Sequence, residues 1–438
     1  MLCLSSWLSM ARSEGGGNGV RWTRVLRDSL GVVGTVVEGG FRDPDSHDLV
    51  LFVRPKAGAA GRCGVCRRRC PGYDRGPGRR RWRSLDMGVT RTWLEADSPR
   101  VRCGEHGVVV ASVPWARHGA RHTYSFDGMV AWSVRNTSKS AVSHKLRVAW
   151  LTVGAIVARV VADADAQAGD RLAGVRRIGI DEISYRRGHK YLTVVVDHDN
   201  GRLLWVKDGR TKKDLAEFFD ALGEQRCKEI ELVSADGADW IADVVGLRCR
   251  RAKLCMDPFH VVVWAGEALD EVRRQVVAQA RRNGQKVLAR GLRDCRFALW
   301  KNPEHLTEHQ RNKLAWIIDT NRALYRAYLL KEQLRQVFAP GGADRILLLD
   351  AWLRWAARSK LAPFVDLARR MRRYRDDIAN TLAHKLSNAR VEAINTKIRL
   401  LTRIAFGFKS ANALIALVML HLGGYDIRLP GRALPTHR

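Results

Sequence analysis

Three apolar stretches, "RRIGID", "YLTVVVD" and "RLLWVKDG", follow one another between residues 176 and 209. They are rich in β-branched residues, and "HDNG" (198–201) between the second and third is a turn signal, so the pattern predicts strands at hairpin spacing. The amphipathic segment "TKKDLAEFFDALGEQ" then reads as a helix, "EIELVSAD" as a strand, "GADWIADVVG" as a helix and "RAKLCMD" as a strand. Three strands, helix, strand, helix, strand is a mixed α/β layer covering residues 175–259. From 260 to 386 apolar positions recur at helical steps, as at Ala327, Leu330, Leu334 and Phe338. Residues 387–425 continue as helices, ahead of a tail at 426–438.

The first third of the chain reads differently. Residues 1–20, with "EGGGNG", are expected to be disordered, and 21–60 form a short α/β lead-in. Residues 61–120 are Arg-dense with short strands. Residues 121–165 read as helices, and "AQAGDRLAG" (166–174) as a linker.

Composition narrows the class. With 438 residues, 46% of them hydrophobic, the chain can build two or three cored domains and is not a disordered basic tail. Lys and Arg number 76 against 45 Asp and Glu, a formal net charge of +31, which suits a polyanionic partner whose counterions are released on binding. No run of about 18 apolar residues occurs, so no membrane span is expected. Nine cysteines without a secretory signal point to a reducing cytoplasm, where clustered Cys reads as a metal site before a disulfide.

"CGVC" (Cys63, Cys66) and "CGEH" (Cys103, His106) offer two pairs of ligands for tetrahedral zinc, with free thiols as the bland alternative and Cys70 as a possible substitute ligand. Between them Arg79, Arg80 and Arg81, near Trp82 and Trp93, suit phosphate contact, although the tryptophans also suit a core. Next, "TSKSAVSHKLRVAWLTVGAIVARVVADA" gives a helix capped by Thr137 or Ser138, a break near Ala149–Trp150, and a helix with Val153, Ile156, Val157 and Val160 inward. That is a helix-turn-helix candidate; a plain helical linker remains the alternative, since the second helix carries only Arg159 as a basic residue.

Carboxylates supply the candidate chemistry. Asp181 ends the first strand of the layer and Asp236 ends "ELVSAD". If those strands are neighbours, both project at one edge, where like charges repel unless a divalent cation sits between them. Glu392 in "SNARVEAINTKIRLLTRIAFGF" is the best third acid. It shares a helix face with Asn395, Arg399 and Arg403, opposite Val391, Ile394, Ile398 and Leu401; a solvated surface Glu is the plainer reading.

Taken together, "GIDEISYRRGHKYLTVVVDHD", "VSADGADWI", "MDPFHVVVW" and "NARVEAINTKIRLLTRIAFGFKS" resemble DDE-type insertion-sequence transposases, specifically the ISL-three family, over roughly residues 61–425. The resemblance implies an RNase H-like mixed-sheet catalytic core (175–259 and 387–425) interrupted by a helical insertion (260–386). It also implies a zinc-binding region before it (61–120) and a helix-turn-helix domain (121–165). It places the catalytic acids, holding Mg²⁺ or Mn²⁺, at Asp181, Asp236 and Glu392, with Asp257 and His260 near the site and Asp257 the rival for second acid. Structural zinc would sit on Cys63, Cys66, Cys103 and His106, where many relatives have Cys in place of His106.

The implied activity is metal-dependent cleavage of duplex DNA at terminal inverted repeats, then strand transfer by the freed 3′-OH. The implied protein is cytoplasmic and nucleoid-associated, and at least a dimer on DNA; Arg399 and Arg403 join Arg79–Arg81 as candidate DNA contacts. Rival readings are a non-catalytic DNA-binding regulator, an RNA-processing nuclease and a basic scaffold. The presence of all three acids argues against the regulator.

Overall fold

A computed structural model describes residues 22–339, 344–408 and 410–432. The predicted disorder of residues 1–20 and the end of the tail (433–438) lie outside the described residues. Two compact units emerge: Met1–Ala164 with Asp426–Arg438, and Asp165–Tyr425.

The first unit opens with α1 (Trp22–Leu30), β1 (Thr35–Arg42) and β2 (Leu49–Pro55). Then come β3 (Gly72–Asp74), β4 (Arg79–Arg83), β5 (Thr92–Asp97), β6 (Arg100–Cys103) and β7 (Gly107–Val110). Strands β1-β2-β5-β4 form one sheet and β3-β6-β7 a second. The lead-in therefore shares a sheet with the Arg-dense segment, through parallel pairing of β2 with β5. Inward-facing Leu51, Val53, Trp82, Leu94 and Trp115 make its core, the two tryptophan rings meeting edge to face at 5.5 Å. Trp82 is thus core, while Trp93 donates its indole N–H to Asp48 at 2.8 Å.

Three helices follow: α2 (Tyr124–Asn136), α3 (Lys139–Leu146) and α4 (Trp150–Gln167), within which the unit ends. Ser138 caps α3, its hydroxyl accepting from the Ala141 N–H, and Thr137 closes α2. Arg147 adopts a left-handed conformation (φ 53°) that ends α3 and turns the chain into α4. Val153, Ile156, Val157 and Val160 are buried, as the periodicity predicts. Arg159 does not face outward to read DNA. With Arg117 it neutralises Asp127, which is fully buried, at 2.9 and 2.7 Å.

The second unit contains β8 (Arg177–Arg186), β9 (Lys190–Asp197), β10 (Leu203–Asp208), α5 (Lys212–Leu222), α6 (Glu224–Cys227), β11 (Leu232–Ala235), α7 (Asp239–Arg248) and β12 (Lys253–Met256). Their order in one sheet is β10-β9-β8-β11-β12, with β8, β11 and β12 parallel and the β8-β9-β10 meander antiparallel. Ile178, Ile180, Val233 and Ala235 pack under Phe218, Phe219 and Ile241 of the covering helices.

Helices α8 (Pro258–Arg282), α9 (Lys286–Asp294), α10 (Arg296–Trp300), α11 (Glu308–Thr320), α12 (Arg322–Val337), α13 (Arg345–Ala357), α14 (Ala362–Arg373) and α15 (Arg375–His384) carry their own core. Ala327, Leu330 and Leu334 are buried in it and Phe338 packs against it. Then α16 (Ala389–Ile404) returns onto β8 and α17 (Ala411–Leu422) onto β10.

Candidate functional site

The acids are set out by strand register. In the parallel pair β8/β11, Leu232, Val233 and Ser234 lie opposite Arg177, Ile178 and Gly179. In β11/β12, Ala235 lies opposite Met256. Continuing both ladders brings Asp181, Asp236 and Asp257 level across three adjacent strands.

Only the last two acids follow the ends of their strands. Strand β8 runs on to Arg186, with Asp181 opposite Val194 of β9, so Asp181 lies mid-strand and not at a tip as the apolar run suggested. Antiparallel pairing with β9 sustains β8 through "EISYR", where the apolar run itself stops.

Asp181 is largely buried. It accepts hydrogen bonds from the Glu182 N–H (2.7 Å) and from Asn395 Nδ2 of α16 (2.7 Å). Burial, and next to it the charge of Asp236, push its carboxyl up to about 6. Asp236 is half-buried and accepts from the Ala238 N–H at 3.1 Å.

Asp257 has a different occupation. It is buried, caps α8 through the Phe259 N–H (3.3 Å) and holds His260 Nδ1 at 3.1 Å. That contact, above all, raises the His260 imidazole, which also feels Asp236 and Asp181. Glu182 is held by Trp240 Nε1 (2.8 Å) and faces Arg210 at 3.7 Å.

Helix α16 is fastened to the sheet by buried polar groups. Gly179 admits it: a Cβ there would collide with Val391. The Ser234 hydroxyl donates to Asn388 Oδ1 at the start of α16, so His198 Nε2, 2.7 Å from Ser234 Oγ, must donate its own proton. Arg390 reaches the His198 carbonyl.

Glu392, one turn before Asn395, is exposed, as are Arg399 and Arg403, whose side chains have no hydrogen bond or ion pair among the described residues. Asn395, expected on Glu392's exposed face, is buried beside Val391, Ile394 and Ile398 and turns toward Asp181. The structure thus brings Asp181, Asp236 and His260 together, with Glu392 exposed one turn along α16 from the Asn395 that holds Asp181. Sequence reasoning missed Asn388, Ser234 and His198; the only signal was polar residues inside otherwise apolar runs.

His198 gives a stability test. Burial first, then the Arg390 charge, hold its imidazole down to about 4, with Arg177 also lowering it and Asp199 and Asp197 opposing. A depressed imidazole keeps its full contribution above its unfolded value near 6.5 and loses it as pH falls through 4. A shift of that size corresponds to about 3 kcal/mol. The thermal midpoint should fall over this window, and His198→Gln should flatten that part of the profile; an unchanged slope in the variant would refute the assignment.

In the first unit, Cys63, Cys66, Cys103 and His106 place their ligand atoms within 4.8 Å of one another, the one such cluster among the described residues. The Cys66–Cys103 sulfur separation is 3.7 Å, and Cys103 Sγ lies 3.6 Å from His106 Nδ1. Tetrahedral zinc with its usual Zn–S bonds needs sulfurs ~3.8 Å apart, so the quartet fits that ion. Chain geometry builds the first knuckle: Arg67 takes a positive φ, the Val65 N–H points at Cys63 Sγ (3.4 Å), and a Cβ on Gly64 would strike His118. His106, with nearby backbone N–H groups, pulls the Cys103 thiol down to about 6. Cys70 stays outside the quartet and donates to the Arg68 carbonyl.

Arg79 and Arg81 are less available than their sequence suggests. Both pair with Glu95 of the neighbouring strand, at 2.8 and 2.6 Å, whereas Arg80 donates to the carbonyls of Gly119 and Ala120.

Comparison with known proteins joins these features. Residues 178–418 match a transposase family, 111–161 match the helix-turn-helix domain of transposase family ISL3, and 59–106 match the zinc-finger of transposase IS204/IS1001/IS1096/IS1165. Proteins described as transposases for insertion sequence element IS1557, from two strains of Mycobacterium tuberculosis, are 53% identical over 437 residues, covering 94% of this chain and 98% of theirs. The chain belongs to the ISL3 transposase family.

A more distant member, the transposase for insertion sequence element IS1001 of Bordetella parapertussis, is 26% identical over 376 residues, 84% of this chain and 89% of its own. In this ISL3 transposase the zinc-finger, helix-turn-helix and DDE segments follow one another in the order expected from sequence, and the protein is a DNA-binding, DNA-cleaving enzyme. No helix among the described residues is long and apolar enough to cross a membrane.

Proposed function

We propose that Asp181, Asp236 and Glu392 are the acids of a transposase that cleaves the terminal inverted repeats of its own element and joins them to target DNA. The observation that carries this reading is the register that sets Asp181 level with Asp236, beside a helix tied to Asp181 by Asn395. Asp236 is preferred to Asp257 because it faces Asp181 with its carboxylate half-buried, while Asp257 is taken up in capping α8 and holding His260.

The donor set is hard oxygen and includes two carboxylates in mutual repulsion, which suits Mg²⁺ or Mn²⁺. When bound, the metal supplies Lewis-acid stabilisation of the attacking and leaving oxygens of an in-line displacement. The chain's own residues prepare that step. Asn395 and the Glu182 N–H fix the Asp181 carboxylate, and Asp257 orients His260 toward the acids.

In the first step water adds to phosphorus as the P–O3′ bond breaks. In the second the freed 3′-OH adds to a target phosphorus, displacing a target 3′-oxygen. Arg399 and Arg403, exposed on the Glu392 helix, are suited to the DNA backbone. The zinc-binding and helix-turn-helix segments hold the element end, zinc being structural. Joining two ends calls for at least two copies on DNA, acting at the nucleoid in the cytoplasm.

The test is nicking of a labelled duplex bearing the element's own end, with Mg²⁺ or Mn²⁺ and with neither. Metal-dependent cutting at the end is expected. Tight end binding with no cutting under any metal would replace this reading with a regulator that has kept the fold.

A further inference from the structure

We propose that a cleft between the β4–β5 face and the turn joining α3 to α4 is a phosphate site, occupied by one backbone phosphodiester of the bound duplex. The proposal rests on the reading of this unit as DNA-binding and names where the backbone is gripped.

The cleft has a volume of about 590 Å³ and is lined by Arg80, Arg121 and His122 on one side and by Ala149 and Thr152 on the other. Arg81 and Trp93 complete the wall, and no acidic residue lines it. Its cationic groups differ in how far they are already matched. Arg81 is committed to Glu95 (2.6 Å) and Asp43 (3.8 Å). Arg80 is half-buried, lies over the Trp82 ring at 5.1 Å and donates to the carbonyls of Gly119 and Ala120, at 3.2 and 2.6 Å, with no carboxylate partner among the described residues. Arg121 is exposed and has no ion pair among the described residues.

These two guanidinium groups feel each other. Burial, then the Arg121 charge, weaken the hold of Arg80 on its proton. A pair of like charges without a counter-ion is unfavourable in the free protein and is relieved by an anion.

On the opposite wall, Ala149 and Thr152 belong to the start of α4, whose first-turn N–H groups have no intrahelical acceptor. Two guanidiniums without a carboxylate partner and a helix start therefore line one cavity. A phosphodiester, singly charged and rich in acceptors, satisfies all of them. The position is apt, because in this motif the first helix crosses the backbone and the second enters the groove, so a phosphate held at the turn between them would fix the register of the second helix.

The experiment measures affinity for the element-end duplex against salt, for wild type, Arg121→Gln, Arg80→Gln and Arg54→Gln. Arg54, exposed and paired with Glu38 at 2.7 Å, controls for loss of one positive charge. Arg121→Gln is expected to lower affinity about tenfold and to make the log–log salt slope shallower by about 0.9, the value for one phosphate. Arg80→Gln should act likewise, but it also frees the 119–120 carbonyls, so Arg121→Gln decides.

A methylphosphonate scan of the duplex localises the effect. One position is expected to weaken wild type about tenfold and to leave Arg121→Gln unchanged. An Arg121→Gln slope equal to that of wild type, or losses that add at every position, would overturn the proposal. Inorganic phosphate at constant ionic strength separates the two sources: saturable binding that leaves the phosphonate profile unchanged would overturn the backbone assignment. Absence of any end binding by wild type would instead sink the DNA-binding reading beneath it.

Discussion

Asp181→Asn is expected to reduce end cleavage by roughly 10³-fold, because several kcal/mol of transition-state stabilisation disappear at 1.36 kcal/mol per factor of ten. Asp236→Asn and Glu392→Gln should fall as far, with end binding retained in all three. The side-chain amide at 181 can still accept from the Glu182 N–H through its one oxygen, and its NH2 can donate to the buried, unpartnered Asn395 Oδ1 once that amide turns over, so the variant folds. It should even melt higher than wild type in metal-free buffer above pH 6. A buried carboxyl raised to about 6 costs stability above that pH and nothing below its unfolded value, and Asn removes the cost.

Asp257→Asn separates the rival assignments. It keeps an oxygen to cap α8 but weakens the charge-assisted hold on His260, which predicts a loss of stability of about 1 kcal/mol and less than a tenfold drop in cleavage. A 10³-fold loss at Asp257 with cleavage intact in Asp236→Asn would exchange their roles. Full activity in Glu392→Gln would remove that residue from the site.

The α/β layer and the helical insertion were legible because their signals are local. β-Branched runs, the "HDNG" turn and the helical steps at Ala327, Leu330 and Leu334 depend on neighbours within one element. The spacing of 55 residues between Asp181 and Asp236 carried more than was read from it, since it equals the register offset of the β8/β11 ladder.

What stayed hidden was non-local. Glu95 claims Arg79 and Arg81 from the adjacent strand, and no property of "RRR" forecasts that. Asn395 lies at the border of the apolar stripe of α16, so its direction was decided by how the helix sits on Gly179. The same holds for β2, whose parallel partner β5 lies some forty residues on, across the first zinc knuckle.

Those knuckles stand on little else, which makes zinc removal the other large effect. The β3-β6-β7 sheet buries only Val101 and Cys103, and β3 is exposed throughout. Three short strands with so small a core are marginal in water. By contrast, β1-β2-β5-β4 has Leu51, Val53, Trp82, Leu94 and Trp115 to hold it. Structural zinc supplies about 10 kcal/mol or more to such a segment, so its loss should unfold the knuckles and spare the larger sheet. Native protein is expected to hold one zinc per chain. Stripping it, or changing Cys66 to Ser, should abolish hydrogen-exchange protection at 61–74 and 100–110 while Leu49–Pro55 keeps its own. Retention of protection at 100–110 in protein shown to be metal-free would mean that the quartet is not what holds this segment together.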